Sequence, residues 1–315
     1  MNKTNRTKHL PTFALMLAAM IWGAGFMAVQ IALDNGFSEG LMLFGRFAVA
    51  ALVLLIVAGK RLFPASRQEL LYGLIAGFLL FLGFYVQTAG LRFTTPSNNG
   101  FFTATNVMMV PFIAWFLHKK RPPIKLFFCC LMALAGFFIL AWNPDIGFSV
   151  NLGDLLTLLC AFFFACHIAS LGIFSPKVDA LRLSFFQIAF AGGFSLIAFL
   201  LFELPALSLA NWKGGLPAVI FMGLFPTCLC FLIQTWAQGK TSSGKTAVIL
   251  SCESLWCMIF SVMLGYEQLS VQMVVGGLVI VSAVCLLEVE LPFPARRKKE
   301  TSKEEQETPK EQVVA

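Results

Sequence analysis

Charged residues are scarce in this sequence of 315 residues, of which 12% are Asp, Glu, Lys or Arg and 58% are hydrophobic. A soluble chain is expected to contain about 25% charged and about 45–50% apolar residues. So little charge cannot cover the surface of a soluble particle of this size. The composition therefore argues against a soluble enzyme and against a nucleic-acid-binding protein, and it favours an integral membrane protein.

Residues that carry hydrolytic, redox or metal chemistry are also few. The chain has three His residues, and all nine Cys residues fall inside long apolar runs, with no CxxC pair. Cysteines of this kind behave as small apolar side chains, so neither a disulfide nor a zinc site is predicted. The sequence also lacks a GxxxxGK[ST] phosphate-binding loop, which argues against ATP hydrolysis by this chain. We predict no catalytic residue, no metal and no cofactor.

Long apolar runs are abundant. A membrane-spanning helix needs roughly 20 mostly apolar residues, and turn-forming segments such as Asp34-Asn35-Gly36 divide the chain into ten such runs. A membrane β-barrel would instead show short stretches of alternating polarity. We predict an all-α integral membrane protein whose ten spans cover residues 12–33, 40–58, 70–89, 98–117, 124–142, 154–174, 183–202, 215–237, 246–265 and 270–288.

The basic residues lie almost entirely on one side of this predicted membrane. If the N-terminus is cytoplasmic, all but three of the 23 Lys and Arg residues fall in cytoplasmic segments, the exceptions being Arg46, Arg92 and Lys213. Cytoplasmic loops carry such an excess, so the segment 1–11 and the tail 289–315 are both predicted to be cytoplasmic. The charged tail is predicted to be disordered. The net charge of +7 then reflects contact with anionic lipid rather than with nucleic acid.

The chain contains an internal repeat. Residues 78–140 align with residues 225–287 at a constant offset of 147, with the pairs Gln87/Gln234 and Thr88/Thr235 in register. The predicted domains are therefore two five-span repeats, 12–142 and 154–288, joined by an outside linker, 143–153. Because five is odd, the second repeat enters the membrane from the other side. Inverted repeats of this kind are typical of alternating access around a central site.

Several short motifs follow one another in a characteristic order along this duplicated ten-span chain. They are WGAGF at 22–26, Arg46, TTPSN at 94–98, Pro111 and GYE at 265–267. In this order the sequence resembles the EamA-type transporters of the drug/metabolite transporter superfamily. The resemblance implies a ten-helix fold and the export or exchange of small metabolites, with a small-molecule substrate that it does not name.

Two positions depart from the pattern of that family. The acidic marker after the fourth span is replaced by His118-Lys119-Lys120, and the Glu-Pro pair often found in the ninth span is Glu253-Ser254.

Glu253 is the one acid of the sixteen that lies well within a predicted span, and such groups are candidates for function. Its mate in the repeat is Asn106. Inversion would place this polar pair at matched depths in opposite halves of the protein. A carboxyl group at that depth suits a proton carrier or a cation-binding group. The alternative is a neutral Glu that bonds a neighbouring helix.

Arg46 lies in the second span, and an offset of 141 pairs it with Gln187. We expect these two residues either to contact the substrate or to have a purely structural role in packing between helices. Arg46 could anchor a substrate carboxylate or phosphate, or pair with a buried acid. The alternative is that its long side chain snorkels to the outer headgroups.

Three further polar residues lie inside or near the ends of spans. His167 is central in the sixth span and is a candidate proton relay, the alternative being a structural bond to a carbonyl group. Gln87 and Gln234 occupy matched places near the ends of the third and eighth spans. They are candidates for gating the two sides, and helix capping or bonding across helices is the alternative.

Three aromatic residues stand out from the others. Trp22 is central in the first span, Tyr85 lies in the third, and Trp256 follows Glu253 by three residues and so shares its helical face. An aromatic wall beside a carboxylate suits amphipathic or cationic organic molecules. Ordinary packing is the alternative for each.

Three classes of function are compared. The favoured one is a secondary transporter in the cytoplasmic (inner) membrane, which exports or exchanges small metabolites such as amino acids, with protons as the candidate coupling ion. A membrane-embedded enzyme acting on lipid-like substrates would need clustered acids or histidines, of which the sequence has few. The third class is a channel or a receptor-like protein. A channel would show polar residues repeated along one helix face, and the sequence shows no such pattern. A homodimer is left open as an assembly.

Overall fold

The structure of the protein is a computed structural model that describes residues 3–94, 96–119, 121–141, 151–265 and 268–288. Within these ranges the chain is helical and contains no β-strand. The α-helices of the described residues are α1 (Lys3–Asp34), α2 (Glu39–Ala58), α3 (Arg67–Leu91), α4 (Pro96–Ala104), α5 (Asn106–His118), α6 (Ile124–Ala141), α7 (Leu152–Phe174), α8 (Ala180–Ala198), α9 (Trp212–Met222), α10 (Cys230–Gln238), α11 (Ser243–Leu250), α12 (Glu253–Met263) and α13 (Val271–Glu288).

The helices confirm the predicted fold class. In the part of the chain that the structure describes, eight helical segments are long and apolar enough to cross a membrane, and two shorter apolar helices cover Phe102–Leu117 and Ile124–Ile139. Together they coincide with the ten predicted spans. The π-helical turn Gly223–Leu229 joins α9 to α10, so that the eighth span is one continuous helical segment. The predicted tail 289–315 and most of the predicted linker 143–153 lie outside the described residues.

Side chains at the helix ends explain where several spans begin. At the start of α3, the Ser66 hydroxyl accepts a hydrogen bond from the Glu69 backbone N–H, and the Glu69 carboxylate accepts one from Ser66. Asn151 and Asp154 form the same reciprocal pair at the start of α7. Such capping boxes satisfy two backbone donors that a helix otherwise leaves without a partner.

The helices pack with the symmetry expected of two repeats. In the first repeat α3 contacts α7 and α8, and the corresponding eighth span contacts α1 and α2. Likewise α5 contacts α7, whereas α12 contacts α1. The pairs α2–α8 and α6–α13 cross between the repeats. For each of these contacts, the equivalent spans of the other repeat are also in contact. The two repeats are therefore related by an approximate two-fold axis.

Polar contacts identify the two ends of the bundle. His9 and Lys245 lie 3.6 and 2.7 Å from the carboxylate of Glu288. These contacts place the first and last described helices together at one end, here named the terminal face. At the other end, the Asn211 amide donates a hydrogen bond to the Asn35 side chain at 2.9 Å. This end is named the opposite face.

Two predicted spans differ from the continuous helices expected from the sequence. The fourth span is interrupted at Thr105, between α4 and α5, and the ninth at Ser251 and Cys252, between α11 and α12. At both places a hydroxyl group bonds back to a carbonyl three residues earlier, since Thr105 donates to Phe102 at 2.6 Å and Ser251 to Val248 at 2.6 Å. Such side-chain bonds compete with the helical ladder. The two interruptions therefore occupy equivalent positions in the repeats.

The backbone tightens in the same way at both interruptions. The Thr105 N–H bonds the Phe102 carbonyl at 3.2 Å, and the Cys252 N–H bonds the Ile249 carbonyl at 3.2 Å. Both donors and both acceptors are related by the offset of 147. Each interruption is therefore a single 3₁₀-type turn that the repeat has preserved.

Small residues allow α3 and α8 to approach closely. A Cβ atom added to Gly77 would lie 2.6 Å from the carbonyl oxygen of Gln187 and 2.9 Å from the Cβ atom of Phe190. Gly193, also in α8, is exposed and has no atom within 4 Å of its own Cβ position. Comparing a substitution at Gly77 with the same substitution at Gly193 therefore distinguishes the effect of crowding from the general effect of replacing a helical glycine.

We predict that Gly77→Val lowers the melting temperature of the detergent-solubilised protein, because overpacking at this crossing costs about 1–3 kcal/mol. Gly193→Val is the matched control, since its side chain would enter open space on the surface of the bundle. Thermal unfolding followed by circular dichroism measures both variants. A Gly77→Val protein as stable as the Gly193→Val control would contradict the close crossing.

Candidate functional site

A cavity of about 1020 Å³, its mouth included, lies between the two repeats. Its lining side chains come from α1 to α5 of the first repeat and from α7 and the eighth and ninth spans of the second. Seven of the residues singled out in the sequence line it, namely Trp22, Arg46, Gln87, Asn106, His167, Gln234 and Glu253. The fold thus brings most of these candidates to one place.

The cavity extends from the middle of the bundle toward the opposite face. On α1 its lining runs from Trp22 to Val29, and on α3 from Phe84 to Leu91. Both stretches belong to the halves of these helices that end at the opposite face. On the first repeat the lining is therefore displaced away from the terminal face, whereas Phe231 and Gln234 of the eighth span line the cavity on the terminal-face side.

Asn106 and Glu253 are the first residues of α5 and α12, directly after the two interruptions. Neither side chain is hydrogen-bonded to any residue that the structure describes, and both line the cavity. Helix N-termini carry free backbone N–H groups and a partial positive charge. The repeat thus aims two helix ends and two polar side chains at the same space.

Arg46 is 3% exposed, so its side chain is buried within the bundle. Its Nε donates a hydrogen bond to the Thr227 hydroxyl at 2.9 Å, and its guanidinium carbon lies 4.4 Å from the centre of the Phe84 ring. Among the residues that the structure describes, no acid pairs with this guanidinium. The group is therefore held by one hydrogen bond and by aromatic faces, and its remaining N–H donors are available to a bound anion.

The WGAGF motif holds α1 against the irregular parts of the eighth and ninth spans. The Trp22 indole donates to the Pro226 carbonyl at 2.6 Å, within the π-helical turn. A Cβ atom on Gly23 would lie 2.9 Å from the carbonyl oxygen of Glu253, so α1 crosses directly over the second interruption. The motif thus positions the lining of the cavity and adds an aromatic wall to it.

His167 belongs to a buried chain of hydrogen bonds between three helices. Its Nε2 lies 2.9 Å from the Gln187 side-chain oxygen, and the Gln187 amide donates to the Thr235 hydroxyl at 2.9 Å. Gln187 is fully buried and does not line the cavity. Its contact with the site is indirect, through the imidazole ring that it holds.

Gln87 and Gln234 both bond within or across helices. The Gln87 amide donates to the Thr103 hydroxyl at 3.0 Å, which joins α3 to α4. The Gln234 amide donates to the Gln238 side chain at 3.0 Å, and the Gln238 amide donates to the Ile168 carbonyl at 2.8 Å. Gln87 lies on the side of the opposite face, whereas Gln234 lies at the terminal-face side of the cavity.

Two predicted aromatic residues are not part of the cavity lining. The Tyr85 hydroxyl donates to Glu203 at 2.8 Å, and Glu203 in turn accepts from the Gly40 backbone at 2.7 Å. Tyr85 therefore ties α2, α3 and the end of the seventh span together. Trp256 packs over Gly23 and lies 6.1 Å from the ring of Phe260. It faces α1 and the bundle rather than the cavity.

The sequence analysis did not single out several polar residues at the site, among them Thr88 and Ser251, which also line the cavity. Thr227 orients Arg46, and Asn99 and Thr103 line the cavity on α4. The signal for Asn99 was present, because a polar residue at the start of a span faces inward more often than toward lipid. Among the described residues, no group of three or more His, Cys, Asp or Glu side chains could hold a metal ion.

Comparison with known proteins assigns the family. The EamA-like transporter family matches residues 10–142 and residues 151–289, one match for each repeat. The chain belongs to this family. An uncharacterized transporter of Archaeoglobus fulgidus is 32% identical over 284 residues, covering 88% of this chain and 85% of that protein. The uncharacterized transporter YyaM of Bacillus subtilis is 24% identical over 311 residues, covering 94% and 99%.

The fold of this EamA-like transporter is also found among solved proteins. A crystal structure superposes on it with a TM-score of 0.75 at 17% sequence identity, covering 88% of this chain and 96% of that one. At that identity the likeness concerns the fold alone. The family assignment agrees with the resemblance inferred from the motifs.

We predict that Gln187→Leu destabilises this EamA-like transporter, because it leaves the His167 Nε2 and the Thr235 hydroxyl without a partner. An unpaired buried polar group costs about 1–3 kcal/mol. The double variant His167→Phe, Gln187→Leu is expected to recover part of that loss, since it removes the unpaired imidazole and leaves only the Thr235 hydroxyl without its Gln187 partner. Thermal unfolding in detergent measures each variant. A double variant no more stable than Gln187→Leu would show that the chain of bonds is not what stabilises this region.

Proposed function

We propose that the chain is a secondary transporter that exports or exchanges small zwitterionic metabolites, amino acids being the simplest class, by alternating access around the cavity. One observation carries this proposal: the cavity contains a guanidinium group and a carboxyl group that are not paired with each other. Arg46 and Glu253 both line it, and neither has an ion-pair partner among the residues that the structure describes.

Arg46 is suited to the carboxylate end of such a substrate. A guanidinium presents a planar fork of N–H donors that matches the two oxygens of a carboxylate. The bond from Nε to Thr227 and the contact with Phe84 hold the group in one orientation. A substrate carboxylate would therefore meet a preoriented donor with little loss of side-chain freedom.

Glu253 is suited to the amine end and to the coupling ion. Its carboxyl group has no fixed cation, so it would bind either a substrate ammonium or a proton in the same cavity. Competition between the two ligands would link outward movement of substrate to inward movement of protons. This mechanism requires one titratable acid in the cavity, and among the described residues Glu253 is the acid that lines it.

The walls of the cavity favour an apolar or aromatic side chain on the substrate. Trp22, Phe26, Phe84, Phe164 and Phe231 all line it. Rings of this kind attract both apolar groups and cations. We accordingly favour amphipathic substrates over strongly hydrophilic ones.

The same proposal places the protein in the cytoplasmic membrane with the terminal face inside. The described basic residues Lys60, Arg61, Lys177 and Lys240 lie at helix ends on that face, in accordance with the excess of positive charge on cytoplasmic loops. The lining that α1 and α3 contribute would then lie in the outer halves of these helices.

We predict distinct defects for the two charged residues in proteoliposomes loaded with a panel of amino acids. Arg46→Gln is expected to raise the KM for exchange about 10- to 100-fold, because a charge-assisted hydrogen bond contributes about 1.5–3 kcal/mol. Glu253→Gln is expected to retain exchange at a raised KM, because the amide oxygen still accepts a hydrogen bond from a substrate ammonium but carries no charge, and to lose accumulation driven by a proton gradient. Radiolabelled counterflow and gradient-driven uptake measure the two activities separately.

Matched controls lie outside the cavity. Glu203→Gln removes an acid that bonds Tyr85, and Arg92→Gln removes a base that pairs with Glu39 near the opposite face. Both variants are expected to keep the KM and the proton dependence of the parent. Uphill uptake by Glu253→Gln would disprove its role in coupling. Exchange of none of the zwitterions by the parent would disprove the substrate class.

A further inference from the structure

A second cavity lies on the lipid-facing surface of the bundle, between the end of α5 and the start of α6. Its volume is about 840 Å³, its open mouth included. Lys125, in the first turn of α6, donates a hydrogen bond to the Leu287 carbonyl at 3.2 Å, next to Glu288, so the cavity lies near the terminal face. It is here named the lateral groove, and its lining residues are Phe112, Trp115, Arg121, Pro122, Ile124 and Phe127.

The walls of the lateral groove are apolar and open toward the bilayer. The rings of Phe112 and Phe127 lie 5.0 Å apart between their centres. Phe112 is 49% exposed and Ile124 is 80% exposed. Because α5 and α6 belong to membrane spans, side chains exposed on their surface face the acyl chains of lipids. The groove is therefore suited to an acyl chain rather than to a water-soluble molecule.

One charged side chain lies at the headgroup end of this apolar groove. Arg121 belongs to the connection between α5 and α6, and its guanidinium carbon lies 5.2 Å from the centre of the Trp115 ring. Among the described residues, no acid forms an ion pair with Arg121. A guanidinium held over an aromatic ring keeps its fork of N–H donors available for a phosphate group.

The local sequence adds positive charge and no negative charge. Lys119, Lys120 and Lys125 lie within four residues of Arg121, and the sequence has no acid between Glu69 and Asp145. Lys119 is exposed. Basic pockets at the ends of membrane spans attract anionic lipid headgroups. The charge of this segment is therefore complementary to an anionic phospholipid.

The equivalent connection of the second repeat does not have this chemistry. At the offset of 147, Trp115 corresponds to Val262 and Arg121 to Gln268. The inverted repeat places that connection at the opposite face. The fold shared by the two repeats therefore does not require an aromatic ring and a guanidinium here, which supports a role confined to the terminal face.

We propose that the lateral groove is a binding site for one anionic phospholipid of the leaflet at the terminal face, with its phosphate on Arg121 and an acyl chain against Phe112 and Phe127. The site is separate from the central cavity, since none of its lining residues lines that cavity. It adds a lipid ligand to the protein and does not depend on the substrate proposed above.

Native mass spectrometry of the full-length protein in detergent tests this proposal. The protein is titrated with phosphatidylglycerol and, separately, with phosphatidylcholine, and the fraction with one bound lipid gives each Kd. Glycerol 3-phosphate is added as a soluble competitor. We expect one tightly bound phosphatidylglycerol, weaker binding of phosphatidylcholine, and no displacement by glycerol 3-phosphate.

Two variants with matched controls test the two ends of the site. Arg121→Gln is expected to raise the Kd for phosphatidylglycerol about fivefold, because it removes one basic residue from an anionic headgroup. Lys240→Gln is its control, since Lys240 lies 4.8 Å from the centre of the Trp236 ring at the same face but does not line the groove.

Phe112→Ala is expected to raise the same Kd about threefold, because it removes apolar contact with the acyl chain. Phe116→Ala is its control, since Phe116 lies one turn further along α5, is 83% exposed and does not line the groove. Both controls are expected to keep the Kd of the parent. The four substituted side chains lie on the surface of the bundle, so each variant is expected to fold.

Four results would overturn the proposal. Equal binding of the two phospholipids would show a site without charge selectivity, and equal losses in Arg121→Gln and Lys240→Gln would show attraction by the whole basic face. Displacement by glycerol 3-phosphate would indicate a soluble phosphate as the ligand. A dimer that forms without bound lipid and is lost in Phe112→Ala would indicate a second copy of the chain in the groove. The assay uses no transported substrate, so a failure of the exchange assay would not affect it.

Discussion

The satisfaction of backbone hydrogen bonds inside the membrane is the constraint on which this structure depends. A bilayer offers no partner to a free N–H or C=O group, so an irregular backbone is tolerated only where it is buried in protein or lines a cavity. The chain interrupts its helices at two equivalent places, where Thr105 and Ser251 bond back to the preceding turn. The two interruptions turn the starts of α5 and α12 toward the central space, and that is why Asn106 and Glu253 come to line it.

The two repeats share their geometry and differ in their chemistry. Glu253 in the second repeat corresponds to Asn106 in the first, and Arg46 in the first corresponds to Gln187 in the second. Each repeat therefore contributes one charged residue to the cavity and keeps a neutral amide at the matching position. Because the repeats are inverted, a symmetric scaffold acquires a site with opposite charges on its two sides. A zwitterion could bind this site in one preferred orientation, whichever face of the membrane it came from.

The sequence was sufficient to predict the spans and many of the residues that line the candidate site. It was insufficient where local hydrogen bonding or helix packing determines the structure. Long apolar runs predict helices because a helix satisfies its own backbone in lipid, whereas the β-barrel alternative requires alternating polarity. The offset of 147 identified Asn106 as the mate of Glu253. The interruptions were not predicted, because Thr and Ser are also found inside continuous helices. Whether the hydroxyl group of Thr105 or Ser251 bonds a carbonyl of the preceding turn is visible only in the structure. Trp256 follows Glu253 at helical spacing, but α1 crosses at Gly23 and covers that ring. Helical periodicity predicts on which face of its helix a residue lies, but it does not predict which other helix packs against that face.

The separation of Arg46 from Glu253 has an energetic consequence. Two opposite charges in direct contact would largely satisfy each other, and a substrate would then have to break that pair before it could bind. Here the guanidinium is held by Thr227 and Phe84 instead, and the carboxyl group has no partner among the described residues. Without a ligand, both groups would stay unpaired beside the cavity that they line, and water in that cavity would offset part of the cost. Closing that cavity without a ligand would remove the water and leave both groups unpaired, which is costly. A substrate that pairs with both groups, or a proton that neutralises the carboxyl group, lowers the free energy of closure. The same two charges would in this way select the ligand and couple its binding to the movement of the repeats.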